Sequence, residues 1–193
     1  MTAATRQRIL EAGAQLIHHQ GYNRTGIQEI LRAAGVPKGS FYFYFKSKED
    51  FGLALIDVFG QFFRQQAEAI LGDKSQPPLR RLDAFFQFFN DYFRQQGFQG
   101  GCPVGNLAQE MGDLSPAFAH KLAQSIDFMA SCVAGVLEEA RQAGQLEQDR
   151  DPQALAYFVI ASWQGALIRM KALKSAEPLE IFREVVFGRL LVG

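Results

Sequence analysis

The stretch that most constrains this chain lies near its amino terminus: Ala33-Ala34-Gly35-Val36-Pro37-Lys38-Gly39-Ser40-Phe41-Tyr42-Phe43-Tyr44-Phe45. It predicts the end of one short helix, a tight turn and a second short helix. Gly35 suits the left-handed position that closes a helix, where a β-carbon is penalised. Val36 and Pro37 carry the chain into a new first turn, where proline's missing N–H does no harm. Phe41 and Phe45 are four residues apart and share the buried face. Lys38, Gly39, Ser40, Tyr42 and Tyr44 are left facing outward. A basic, hydroxyl-bearing and aromatic face on a short helix behind a glycine turn suits a DNA groove. The stretch is the recognition half of a helix-turn-helix.

The flanking residues supply the other parts. Ile9, Ala12, Leu16 and Ile17 fall on one side of a first helix that Gly21 stops. Thr25 with Gln28 makes a capping-box pattern opening the second helix, and Ser47 with Asp50 repeats it before the fourth. In this ordered set, Ile9 to about Leu55 resembles the DNA-binding domain of TetR-family transcriptional repressors. The matching features are Gly21, Thr25, Ile30 to Val36, Lys38 to Phe45 and Lys48. One departure is Tyr44, where many members carry histidine. The resemblance implies DNA contacts from Thr25, Gln28, Lys38, Gly39, Ser40, Tyr42, Tyr44 and Lys48. Thr25, Lys48 and the two tyrosines would hold phosphates, while Lys38 and Gln28 have the chemistry to address base edges.

Charge agrees with this division of labour. The chain carries 20 basic and 20 acidic side chains, for a formal net charge of zero. Residues 1–50 hold seven Lys/Arg against four acids, a balance of +3, so the remainder is −3. A basic end on a slightly acidic body suits a DNA reader joined to something else. Two cysteines, Cys102 and Cys132, make neither a disulfide framework nor a zinc motif. His18, His19 and His120 sit in no metal-ligand or nucleophile–base pattern, and no cofactor motif is present. No signal-peptide core or membrane-length apolar run occurs, which makes the cytoplasm the expected compartment. Nothing in the pattern indicates an enzyme.

Past the helix-turn-helix, every segment carries helical periodicity and none alternates like a strand. The predicted fold is all-α, with a three-helix DNA-binding domain over 1–47 and a larger helical ligand-binding and dimerisation domain over 48–193. A fourth helix runs from about Lys48 to Leu71, a fifth from Pro78 to Gln96, and a short one begins near Gly105. Ser115-Pro116 and Asp151-Pro152 are cap-and-proline starts for two long helices. From Gln153 to Ile168 there is no formal charge, as expected of a helix buried nearly all round. The last helix runs from about Pro178 to Leu191.

The second half also resembles the regulatory half of TetR-type repressors: a helical ligand-binding core whose last two long helices dimerise as a four-helix bundle. On that footing Trp163, Gly165, Phe182 and Val186 are the expected dimer-interface residues. The fifth helix is crowded with rings that fit either a solid core or an aromatic-lined cavity. An apolar inducer would lie among Phe62, Phe85, Phe89 and Phe128. The segment Gly101 to Glu110 is similar to one in regulators that answer electrophiles or oxidants, with Cys102 at the sensing position. A thiol near a helix N-terminus has a stabilised, reactive thiolate; a small buried apolar residue is the other reading of Cys102. The function these features imply is a ligand-responsive repressor. It would bind a palindromic double-stranded operator as a homodimer and be released by a small apolar or electrophilic inducer. The competing reading is a helical protein–protein adaptor that reads no DNA sequence.

Overall fold

A computed structural model of the chain describes residues 2–191. It is helical, with no strand among those residues. The helices are α1 (Ala3–Gln20), α2 (Ile27–Ala33), α3 (Phe41–Tyr44), α4 (Lys48–Gln66), α5 (Pro78–Gln95), α6 (Pro103–Met111), α7 (Pro116–Gln142), α8 (Pro152–Leu173) and α9 (Glu177–Val185). Wider π-type turns, Ala67–Leu71 and Val186–Leu190, extend α4 and α9. None of the described helices is long and apolar enough to cross a membrane.

Several helix ends form where local chemistry predicts. Gly35 is left-handed at φ 63° and the Val36 N–H reaches back to the Leu31 carbonyl, closing α2. The Ser47 hydroxyl accepts the Asp50 N–H at 3.0 Å, and Asp151 accepts the Gln153 N–H at 2.9 Å. Other ends differ from expectation. Thr25 does not cap α2: its hydroxyl donates to the Gly21 carbonyl at 2.6 Å, and Gly26 takes the cap position with no side-chain bond. The short helix α6 begins at Pro103, two residues earlier than expected, because proline at the first position needs no N–H partner.

The chain forms two compact units, one of Met1–Phe62 with Pro103–Ser125, the other of Phe63–Cys102 with Ile126–Gly193. A cut at Ser47/Lys48 falls inside the first unit, because Phe51, Leu55 and Ile56 of α4 are wholly buried. There the rings of Phe41, Phe45 and Phe51 meet at 5.1–5.6 Å. Gly13 of α1 lies so close that a β-carbon would come within 2.2 Å of the Phe51 ring. This packing fixes α1, α3 and α4 against one another.

The second unit is built on aromatic rings. Phe63 meets Phe85 at 5.2 Å, Phe89 at 5.9 Å and Phe128 at 6.5 Å. Trp163 of α8 adds to this cluster and Phe182 of α9 packs on Phe86 at 5.0 Å. A buried cation, Arg81, is held by the Leu71 carbonyl and the Glu139 carboxylate. The hydrogen bonds from the Lys74 ammonium and then the Arg81 guanidinium keep Glu139 below the usual carboxylate range.

Candidate nucleic-acid interface

The helix-turn-helix is assembled as the sequence predicts, but its outer face is differently composed. After Gly35 the chain makes one tight 3-10 turn, Lys38–Ser40, before the single helical turn of α3. Phe41 and Phe45 are 0% and 2% exposed, so the floor of the helix is core. Lys38, Gly39 and Tyr42 face outward, and a β-carbon on Gly39 would meet nothing within 4 Å. Gln28 is exposed on α2. Tyr44 is half-buried and its hydroxyl is buried without a hydrogen-bond partner among the described residues, so holding a phosphate requires the ring to turn outward.

Two expected contacts are drawn inward. Ser40 is buried, because its backbone N–H bonds the Pro37 carbonyl at 3.0 Å and closes the 3-10 turn. Thr25 is fully buried with its hydroxyl committed to Gly21. Neither side chain is available at the surface of this form. The residue that sequence reasoning passed over is Phe43, 66% exposed beside Tyr42 at 67%. Its signal was the i, i+4 pairing of Phe41 with Phe45, which leaves position 43 on the opposite side.

Lys48 does more than face outward. Its ammonium donates to the Tyr22 carbonyl at 2.7 Å and lies 4.4 Å above the Tyr22 ring. Burial lowers its pKa from the ordinary lysine value, with Glu110 opposing that shift. Tyr22 itself is buried, and burial, helped by Glu49 and Glu110, pushes its hydroxyl up to about 12. The Glu110 carboxylate accepts the backbone N–H groups of Tyr22 at 2.8 Å and Asn23 at 2.6 Å. Ser115, at the start of α7, donates to Glu49 at 2.5 Å, and Phe118 meets Tyr22 edge-on at 5.2 Å. Segment 103–125 thus braces the turn between α1 and α2. No sequence signal could have found Glu110, since its partners lie nearly ninety residues earlier.

In the second unit the structure gathers Phe85, Phe89 and Phe128 around Phe63, with the Arg64 guanidinium 4.0 Å above the Phe128 ring. Phe62 is 39% exposed and Cys102 is buried, one residue before α6. The expected dimer residues separate into two groups. Trp163, Phe182 and Val186 are buried within the single chain, so their side chains are closed to a partner. Gly165 is exposed, with open space where a β-carbon would stand. The outward apolar side chains on α8 and α9 are instead Tyr157, Phe158, Ile168, Leu173, Ile181 and Val185. They went unrecognised because α8 is apolar on every side, which hides which stripe is core. Among the described residues no cluster of three or more His, Cys, Asp or Glu could hold a metal ion.

Residues 9–55 match the family model described as "Bacterial regulatory proteins, tetR family", and residues 78–186 match "Tetracyclin repressor-like, C-terminal domain". The chain is similar to transcriptional regulator AcuR of Cereibacter sphaeroides, 40% identical over 96% of this chain and 84% of that one. It is also similar to the HTH-type transcriptional repressor DhaR of a Mycobacterium species, 37% identical over 96% and 92%. Among solved structures it resembles a regulatory protein TetR from Rhodobacter sphaeroides, with a TM-score of 0.91 at 39% identity, covering 98% of this chain and 100% of that one. These relatives are named as regulators, not as enzymes.

Proposed function

This chain belongs to the TetR family of DNA-binding transcriptional regulators, and from that premise we propose a ligand-responsive repressor that holds a palindromic operator as a homodimer. The observation that carries the reading is the outward face of Lys38, Gly39, Tyr42 and Phe43 on a buried Phe41–Phe45 floor. Lys38 reads a base edge, Gly39 lets the backbone approach, and Tyr42 and Tyr44 hold phosphates. Gln28, Thr25 and Lys48 complete the contact set, Thr25 through the turn that its hydroxyl stabilises. Residues 1–47 supply the DNA-reading helices, on a scaffold that includes α4 and segment 103–125, and the regulatory functions lie within 48–193, in the cytoplasm.

Dimerisation uses the apolar faces of α8 and α9 around Gly165 and Ile168. The exposed apolar side chains there would otherwise stay in water. Paired helices from two copies make a four-helix arrangement that sets the spacing of two heads. An inducer releases DNA by binding the DNA-incompetent arrangement better, and the shift cannot exceed that difference in affinity. Cys102, one residue before α6, is the covalent sensor for an electrophilic inducer, and the aromatic cluster around Phe89 takes an apolar one.

Electrophoretic titration of the DNA upstream of this protein's own gene tests the reading. A shift that weakens steeply with salt and is reversed by a thiol-reactive compound in the native protein, but not in Cys102→Ser, is expected. Modification of Cys102 that leaves operator affinity unchanged would remove it as sensor. Equal affinity for scrambled DNA would remove the repressor reading itself.

A further inference from the structure

Within the second unit, the amide oxygen of Asn90 on α5 and the indole N–H of Trp163 on α8 are buried without a partner among the described residues. Their residues are only 7% and 2% exposed. Unpaired buried groups of this kind are costly, and native proteins nearly always match them with protein, water or ligand. Trp163 belongs to the aromatic cluster, and Asn90 is a buried residue of the helix that supplies two of its rings. The Trp163 ring lies 5.6 Å from Phe86 and 5.3 Å from Phe89. Asn90 stands one helical turn beyond Phe86 and directly after Phe89 on the same helix. The buried pair Gly100 and Gly101 comes to the same helix α8: both glycines are left-handed, at φ 78° and 72°. A β-carbon on Gly101 would lie 3.9 Å from the Leu167 carbonyl, one turn past Trp163.

We infer that Asn90 and Trp163 are the polar anchors of the inducer site, and that its ligand is a small uncharged amide-like carbonyl compound. The inference rests on the ligand-responsive reading above and adds the anchors and the ligand class. An indole N–H can only donate, so it requires an acceptor such as a carbonyl oxygen. The Asn90 oxygen requires a donor, which an N–H on the same ligand supplies. A primary amide carries both groups and therefore suits the side-chain amide of Asn90 in either orientation. The surroundings reject a charge. The neighbouring side chains are phenylalanine rings, and the charge of the buried cation Arg81 is matched by Glu139, although its Nε–H has no partner among the described residues. An ionised carboxylate placed there would stay unpaired. A ligand that meets both anchors gains the hydrogen bonds that the closed core forgoes.

Trp163 is the chain's one tryptophan, so the intrinsic emission of the full-length protein reads this site directly. The probes are benzamide, toluene and benzoate, which share a ring and differ in polar group and charge. Benzamide should change the emission saturably and bind at least tenfold tighter than either of the others. Asn90→Leu, checked by its melting curve, should weaken benzamide at least fivefold and leave toluene unaffected. Equal affinity for benzamide and toluene, tightest binding of benzoate, or no saturable response to any probe would overturn the inference. Operator binding is scored separately on the same samples. A protein that binds benzamide with this selectivity yet shifts no DNA would refute the repressor reading and support the anchors.

Discussion

The carboxylate of Glu110, at the end of α6, accepts the backbone N–H of Tyr22 at 2.8 Å, across eighty-eight positions of sequence. With its second oxygen on the Asn23 N–H, it satisfies two donors of the turn that separates α1 from α2. Lys48 also holds this turn, by donating to the Tyr22 carbonyl. The scaffold of the DNA-reading head therefore includes a helix that lies far from it in sequence and begins one residue after Cys102.

Removing that brace should loosen the turn. Hydrogen bonds to a charged group contribute about 1.5–3 kcal/mol each, less where water can replace them. Glu110→Ala is expected to cost about 2 kcal/mol by urea unfolding, on the scale of one such bond with water partly compensating. Glu110→Gln should recover part of the loss, since one amide oxygen can still accept. An unchanged unfolding midpoint in Glu110→Ala would show that the brace contributes nothing.

Lys38 and Lys48 should behave differently on DNA. Lys38→Ala is expected to weaken operator binding by about 1–3 kcal/mol while leaving scrambled DNA nearly unaffected. Lys48→Ala should weaken both DNAs alike and lower the salt slope by about one. It should also reduce stability, because Lys48 holds the Tyr22 carbonyl. Titrations by fluorescence anisotropy at several salt concentrations separate the two patterns.

Burial and two nearby carboxylates raise the Tyr22 hydroxyl to about 12 in the folded chain. Its unfolded value is near 10. The folded state therefore holds this proton longer, and stability should fall as pH rises from about 10 to about 12. Lys48 acts in the opposite sense: its lowered folded pKa makes the unfolded state bind more protons just below the ordinary lysine value. Comparing native protein with Tyr22→Phe isolates the tyrosine. The alkaline loss in urea midpoint should be smaller in the variant, and equal slopes would contradict the burial of an ionisable hydroxyl there.

Much of this was legible locally. The Gly35 turn, the Phe41–Phe45 floor and the Ser47 and Asp151 caps all arise from residues within five positions of one another, where spacing dictates contact. What spacing could not carry was competition and distance. The Thr25 hydroxyl chose the Gly21 carbonyl over the α2 cap, and Ser40 was drawn in by the 3-10 turn. Glu110 met its partners only through the tertiary fold. In α8 the mean apolarity was clear, yet with nearly every side apolar, the pattern could not separate the buried Trp163 from the exposed Phe158 and Ile168.

The exposed stripe yields a test of assembly. Gly165 has open space around its α-carbon in the single chain, so Gly165→Glu should leave the monomer's fold intact and place a charge only where a second copy packs. The expected outcome in sedimentation velocity is a monomer with an unchanged melting profile for the helical fold, against a dimer for the native chain. Ile168→Glu should act alike. Fully dimeric variants would move the interface elsewhere.

On the proposed reading, this chain recognises a specific two-fold DNA sequence through Lys38, Gly39, Tyr42 and Phe43. Selection from a pool of random duplexes with the purified full-length protein tests it most directly. Enrichment of an inverted repeat whose half-sites lie about one helical turn apart, or a multiple of that, is expected, with Lys38→Ala relaxing the preference at the base pair that Lys38 contacts. Recovery of unenriched, sequence-random DNA by the native protein would contradict it.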